Sequence, residues 1–210
     1  MDWTRPYWTA GKFTLTVDPS NPNAAELIKG RLLLPPDSNI VYIIEQVLRE
    51  DDGPKSARLL TASGRDLGGF FAERVCLPTA GLDYDTQLST KAETAMKHYV
   101  NLNAGPGAAS QRQIPGLTIA ADSARGIAVN VQARYQYLSD IAAQIGQAGG
   151  LGWQILYTSG TLVFDVIPGV DRTASVYFDA AFDTSETQAW LTSDVGTKTY
   201  DYVAGQGVGL

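Results

Sequence analysis

The 210-residue chain has one cysteine, Cys76, and one histidine, His98. A single thiol excludes an intrachain disulfide and any zinc site built on cysteine pairs. A single imidazole excludes the paired-histidine metal motifs. Charged residues make up only 18% of the chain, below the ~25% usual for soluble domains. Basic residues are the scarcer kind: 16 against 22 acidic ones, a net charge of −6. A nucleic-acid binder held by phosphate contacts needs a Lys/Arg surplus on some face, and this chain offers none. No run of apolar residues approaches the ~18 needed to span a bilayer as a helix. The start, Met1-Asp2-Trp3-Thr4-Arg5-Pro6, lacks the basic-then-apolar profile of a signal peptide.

Glycine is plentiful, 21 residues, which points to many turns between short elements. Phe13, Leu15 and Val17 alternate with polar neighbours over Lys12–Val17, the period of a half-buried strand. The turn cluster at 18–23 ends it. One helical turn is expected over 24–29, closed by Gly30, and a strand over 31–34 stopped by Pro35-Pro36. Residues 39–49 form a long β-branched and aromatic run. With a turn at 51–54 and a return over 56–62, they predict an antiparallel hairpin.

A short helix is expected over 66–72 and a stronger one over 90–101. There Thr90 with Glu93 three residues on reads as a capping box. Ala92, Ala95, Met96, Tyr99 and Val100 recur at helical spacing. Residues 103–115 read as a low-order loop. Strands are expected over 117–120 and 127–137, then a helix over 137–147 that Gly149-Gly150 ends with a left-handed cap. Strands 152–158 and 161–167 flank Ser159-Gly160 as a second hairpin. Further short strands are expected over 173–178, 188–192 and 199–203. Segregated hairpins and helices, without regular βαβ alternation, give an α+β fold: antiparallel hairpins in barrel- or tube-like sheets with two or three short amphipathic helices. The division read from the chain is a β-rich part, 1–80, an α/β lobe, 81–175, and return strands, 176–210. The closing Gly205-Gln206-Gly207-Val208-Gly209 run is expected to lead into a further C-terminal part.

The candidate sites are sparse. His98 is the only imidazole available as a base, and Ser110 is a conceivable partner. No Gly-x-Ser-x-Gly elbow accompanies them, so a hydrogen-bonded structural histidine is the expectation. Carboxylates at Asp83 and Asp85, or at Asp179, Asp183 and Glu186, could serve glycoside hydrolysis if they faced one another, and Asp179 with Asp183 could hold calcium, although their spacing does not match the EF-hand loop. They lie in turn-rich stretches where solvated acidic residues are ordinary. The glycines around Gly64, Gly68 and Gly69 lack the Gly-Lys-Ser/Thr ending of a phosphate loop and suit a turn or bulge. Cys76 sits among apolar neighbours and is expected to be buried and inert. No catalytic residue, cofactor or metal is expected.

Four stretches in order carry a resemblance. They are Thr61-Ala62-Ser63-Gly64-Arg65-Asp66-Leu67 leading into Phe70-Phe71-Ala72-Glu73-Arg74; Ala92 to Asn101; Arg125-Gly126 through Tyr135 and on to Leu151-Gly152-Trp153; and Leu162-Val163-Phe164-Asp165-Val166 with Gly169-Val170-Asp171-Arg172-Thr173. Together they resemble the ReqiPepy-type siphophage tail protein family, also found in prophages and related to tail-tip hub proteins. Ala204-Gly205-Gln206-Gly207 also looks like that family, where an acidic residue often stands in place of Val208.

The resemblance implies a virion structural protein, baseplate-hub-like, forming a ring, usually a homotrimer, that closes the distal tail tube. It implies as partners the distal tail protein, the tape-measure protein and receptor-binding or tip proteins. DNA would pass without specific binding, and net −6 would repel the duplex. Trp3, Tyr7 and Trp8 are expected as interface anchors. The helix carrying Thr90, Glu93, His98 and Tyr99, with the loop to Pro115, is expected to make contacts outside its own subunit. Two other readings stay open: a carbohydrate- or receptor-binding module using surface Trp and Tyr, and a tail-associated cell-wall hydrolase.

Overall fold

Alternation over residues 12–17 places Phe13, Leu15 and Val17 on one side of a strand, and this strand anchors the first sheet. The computed structural model describes residues 2–36, 38–50, 59–171 and 174. The strands are β1 (Asp2–Thr4), β2 (Lys12–Val17), β3 (Leu32–Leu33), β4 (Tyr42–Glu50), β5 (Leu59–Asp66), β6 (Asp85–Lys91), β7 (Leu117–Ile119), β8 (Ala128–Ala133), β9 (Leu151–Thr158) and β10 (Thr161–Pro168). Two α-helices, α1 (Ala92–Asn103) and α2 (Leu138–Gly149), and 3-10 turns at Ala24–Glu26, Leu67–Glu73 and Ser110–Arg112 complete an α+β fold. One sheet curls as a half-barrel. Residues 1–169 cluster as one unit and residues 170–210 as another; all of these strands and helices belong to the first.

The five-stranded sheet runs β1-β2-β5-β4-β3, antiparallel throughout. Phe13, Ile40, Tyr42, Ile44 and Ala62 form its core, with Leu15, Leu33 and Val47 packed against them. The rings of Phe13 and Tyr42 meet edge-to-face at 5.6 Å, a favoured aromatic geometry. Tyr42 and Ile44 face inward, and strict alternation would bring Gln46 in next. The ladder instead steps between Ile44 opposite Gly64 and Gln46 opposite Ser63. Glu45 is thus an extra residue, a β-bulge, and Val47 comes round to the core opposite Ala62.

Gly64 is what admits this bulge. A Cβ there would stand 1.9 Å from the Ile43 carbonyl oxygen and 3.0 Å from Phe13 Cε1. The expected bulge reading of this glycine therefore holds.

The second core is larger. A three-stranded sheet, β7-β10-β9, and the two-stranded β6-β8 pair surround α1 and α2. Met96, Tyr99, Leu138, Ile145, Trp153, Phe164 and Val166 are buried among them. Phe71, Trp153 and Phe164 form a ring cluster with centroids 5.0 to 6.3 Å apart. The β9–β10 hairpin forms as expected, turning at Ser159 and Gly160 with φ of +50° and +86°. Gly150, at φ +66°, caps α2 in the left-handed conformation. Hairpins alone did not anticipate the parallel pairing of β7 with β10.

Several sequence expectations shift. The residues at 24–29 make only a 3-10 turn, and the helix at 66–72 is likewise 3-10. Strand β8 stops at Ala133 and does not reach 137, because Tyr135 turns to φ +59°. The capping box does not form. Thr90 lies in β6, its Oγ1 donating to the Leu88 carbonyl at 3.2 Å, and Lys91 is the N-cap residue, making no side-chain capping bond. Backbone carbonyls from a distant loop do the capping instead: Ala92 N donates to Ile127 O and Glu93 N to Arg125 O. The stretch 103–115 is irregular yet bonded. Gly107 N donates to Asn101 Oδ1, Gln113 Nε2 to Ala108 O, and Ala104, Ala108 and Ile114 are buried. The hairpin turn at 51–54, the strands expected at 173–178, 188–192 and 199–203, and the glycine run lie outside the described residues.

Replacing Gly64 by alanine should lower stability by about 3 kcal/mol, the upper range for overpacking, measured by denaturant titration. A variant as stable as the wild type would mean that the bulge does not depend on this glycine.

Candidate functional site

Helix α1 carries the densest polar chemistry. Glu93, Lys97, His98 and Tyr99 are among its residues that reach other parts of the chain, and spacing explains why. Glu93 and Lys97 are one turn apart and so share a face. That face looks inward: Glu93 is fully buried and Lys97 nearly so. An isolated buried carboxylate is prohibitive, and Glu93 is not isolated. Its Oε1 accepts from Lys97 Nζ at 2.7 Å and Arg125 Nη2 at 2.8 Å. Its Oε2 accepts from Arg125 Nε at 2.8 Å and the Arg125 backbone N–H at 2.9 Å. Lys97 also donates to the Ala121 carbonyl at 2.6 Å, and both cations reach Asp165 Oδ1 at 3.1 and 3.2 Å.

Two acids and two bases thus form a neutral cluster in which the fork of Arg125 grips Glu93 bidentately. Arg125 holds the Glu93 carboxyl far below its ordinary 4.5, overriding the opposing effect of burial. Glu93 in turn raises Arg125. The donors and acceptors are spent on one another, so the cluster ties α1 to the 121–126 loop and to β10.

On the neighbouring face, His98 Nε2 lies 2.9 Å from both oxygens of the buried Asp85. Tyr99 Oη donates to the Asp85 carbonyl at 2.9 Å and shares its proton with the Val131 carbonyl at 3.3 Å. Burial, reinforced by Asp85, pushes the Tyr99 phenol upward. These contacts fix the start of β6 to α1 and β8. Ser110 does not join them; its hydroxyl donates to Gln111 Oε1 at 3.4 Å. Asp83 and Asp85 do not converge either, since Asp83 is exposed and faces Arg134 at 3.7 Å. Cys76 is buried, and burial pushes its thiol up to about 12, the inert state expected. Among the described residues no group of three or more His, Cys, Asp or Glu stands together. None of the described helices is long and apolar enough to cross a membrane. Asp179, Asp183 and Glu186 lie outside the described residues.

The N-terminal aromatics divide. Tyr7 packs on Gly152, where a Cβ would stand 2.4 Å from its ring, and its hydroxyl donates to the Ile167 carbonyl at 3.0 Å. Trp8 meets Tyr7 edge-to-face and rests over α2 while staying 38% exposed. Arg5 donates to Gln154 at 2.6 Å. The segment 5–8 is therefore a strap across β9, β10 and α2. Trp3, on edge strand β1, remains 45% exposed.

Sequence reading missed Lys97, Arg125 and Asp165. The i, i+4 spacing of Glu93 and Lys97 was a usable signal; nothing local linked Arg125 or Asp165 to Glu93. All three nevertheless lie inside the stretches that carry the family resemblance. The family description "Siphovirus ReqiPepy6 Gp37-like protein" matches residues 1–210. The chain belongs to that family. The motif resemblance thus extends over the whole chain of this Gp37-like protein.

Two solved structures are similar in part. "The crystal structure of the tail protein from Neisseria meningitidis MC58" aligns at 17% identity with a TM-score of 0.44, covering 76% of this chain and 44% of that one. "Crystal structure of prophage MuSo2, 43 kDa tail protein from Shewanella oneidensis" aligns at 13% identity with a TM-score of 0.39, covering 76% and 47%. The aligned part is under half the length of either chain. No curated protein matches.

Glu93→Gln should cost about 3–5 kcal/mol, because it leaves the buried Lys97 and the partly buried Arg125 to share Asp165 as their one remaining counter-charge. The pH dependence has a fixed sign. A carboxyl held below its unfolded value of about 4.5 stabilises the fold above that value, and loses this contribution as pH falls through the folded one. Urea titrations across the acid range should show wild-type stability falling more steeply below about pH 4.5 than Glu93→Gln. Parallel curves would refute the assignment.

Proposed function

We propose that this Gp37-like protein is a phage or prophage tail protein that acts at the tail tip, hub-like, by assembly rather than catalysis. Membership of the siphovirus family along the entire chain carries the reading. The state of its polar groups supports it: Glu93, Lys97, Arg125, Asp165, Asp85 and His98 are spent on partners inside the chain, which is the chemistry of a scaffold. In this reading copies close into a ring, a homotrimer, around the distal end of the tail tube. The β-rich 1–80 part faces the tube and the 81–175 lobe extends from it. The ring seats against the distal tail protein and the tape-measure protein, and links them to receptor-binding parts. Net charge −6 lets DNA pass without adhering. The place of work is the virion, after synthesis in the host cytoplasm.

A second reading, a carbohydrate- or receptor-binding module of the tail, has support from the exposed aromatic side chains Trp3, Tyr135 and Tyr137. A hydrolase draws no such support from His98 or Asp83. Antibody labelling of purified particles, viewed by electron microscopy, separates these positions. Label confined to the distal end of the tail tube is expected; label along the tube, or particles free of the protein, would overturn the tip assignment.

A further inference from the structure

Arg134 stands apart from the other arginines of the 81–169 region. Arg112 and Arg125 are anchored on buried or backbone acceptors, whereas Arg134 is presented outward. Its guanidinium lies over two tyrosine rings, 5.8 Å from the centroid of Tyr84 and 5.7 Å from that of Tyr135. Its anion, Asp83, is held at only 3.7 Å, with the Asp83 side chain 83% exposed. Leu77, Leu82 and Tyr137 are exposed on the same two loops. An arginine among tyrosines and leucines, with little else charged, is the composition of an interface centre and not of ordinary solvated surface.

The backbone adds an independent observation. Tyr135 sits at φ +59°, a conformation costly for a bulky side chain and concentrated at functional sites. The strain is held in place rather than relaxed. Tyr135 N donates to Cys76 O, Cys76 N to Gln136 O, and Leu138 N to Arg74 O, each at 2.8 Å. Arg134 N donates to Gln136 Oε1 at 2.9 Å. The result of that strain is a tyrosine ring left 60% exposed, preorganised for contact.

We infer that this surface is a self-association face on which a second copy of the chain docks, the Arg134 of one copy pairing with Asp83 of the next. Charge complementarity selects the occupant. The patch carries one cation and one anion side by side, loosely joined within the copy. Placed on a two-fold axis, it presents each sign to the other in the second copy. The tyrosines and leucines around the pair exclude water and strengthen the exchanged ion pair. The inference rests on the proposed assembly role and adds to the ring a two-fold contact between copies.

Sedimentation velocity on the full chain, from micromolar to millimolar, tests it. The wild type should associate; Arg134→Glu and Asp83→Arg should each weaken association by about tenfold or more, and the double exchange should restore it, as paired interface charges do. Tyr135→Gly provides a readout that a merely structural role would not give. Relieving the positive φ should leave the melting temperature equal or higher, while association falls. A wild type that stays monomeric throughout, or variants that associate as the wild type does, would overturn the face. Labelling of particles judges the tail-tip position separately: tip-located protein with unaltered variant association removes the face and leaves the position standing.

Discussion

The fold of the 81–169 region is organised around one buried carboxylate. Glu93 has no water to solvate it, so its position demands donors, and the chain delivers them from two places, one helical turn along α1 and the 121–126 loop, both cations also reaching Asp165 of strand β10. Taking four charges out of solvent is unfavourable unless geometry is good and every lone pair is used. Here the bidentate Arg125 fork, the Lys97 ammonium and a backbone N–H leave no acceptor of Glu93 idle. The same demand sets where α1 begins. Because Glu93 must point inward to Arg125, it cannot reach back to cap the helix, and the loop carbonyls of Arg125 and Ile127 accept the first-turn N–H groups.

Small residues decide how the parts approach one another. Gly64 lets the backbone of β4 bulge toward β5 and brings Val47 back to the core. Gly152 lets the Tyr7 ring lie flat on β9, and the Tyr7 hydroxyl then finds a carbonyl of β10. A bridge between Ile40 and Leu156, with Tyr157 N donating to Asn39 O at 2.7 Å, joins the five-stranded sheet to β9. Side chains at these glycines would collide with backbone or aromatic atoms that have no room to move.

Interior polar groups and surface polar groups are treated differently. Around α1, acceptors and donors are matched to one another, and burial raises the Cys76 thiol. Outside, the 77–84 and 134–137 loops leave an arginine, three tyrosines and two leucines facing solvent. The chain belongs to the siphovirus Gp37-like family.

Short-range physics made much of this legible before any coordinates. Period-two alternation at 12–17, the Ser159-Gly160 turn, the Gly150 cap and the apolar stripes of α1 and α2 are local properties, decided by residues within a few positions of one another. Their order along the chain also carried the family resemblance and the α+β class. Tertiary structure decided what depends on distant partners. Thr90 became strand because β8 was there to pair with it, and Glu93 turned inward because Arg125, 32 residues away, supplied charge and hydrogen bonds that a local cap could not match. Likewise His98 found Asp85, Tyr7 found the β10 backbone, and Tyr135 was driven into a strained conformation by bonds to the Cys76 segment. Such pairings are selected by burial: once water is excluded, each polar group takes the strongest partner the fold brings near, and sequence neighbours have no privilege in that choice.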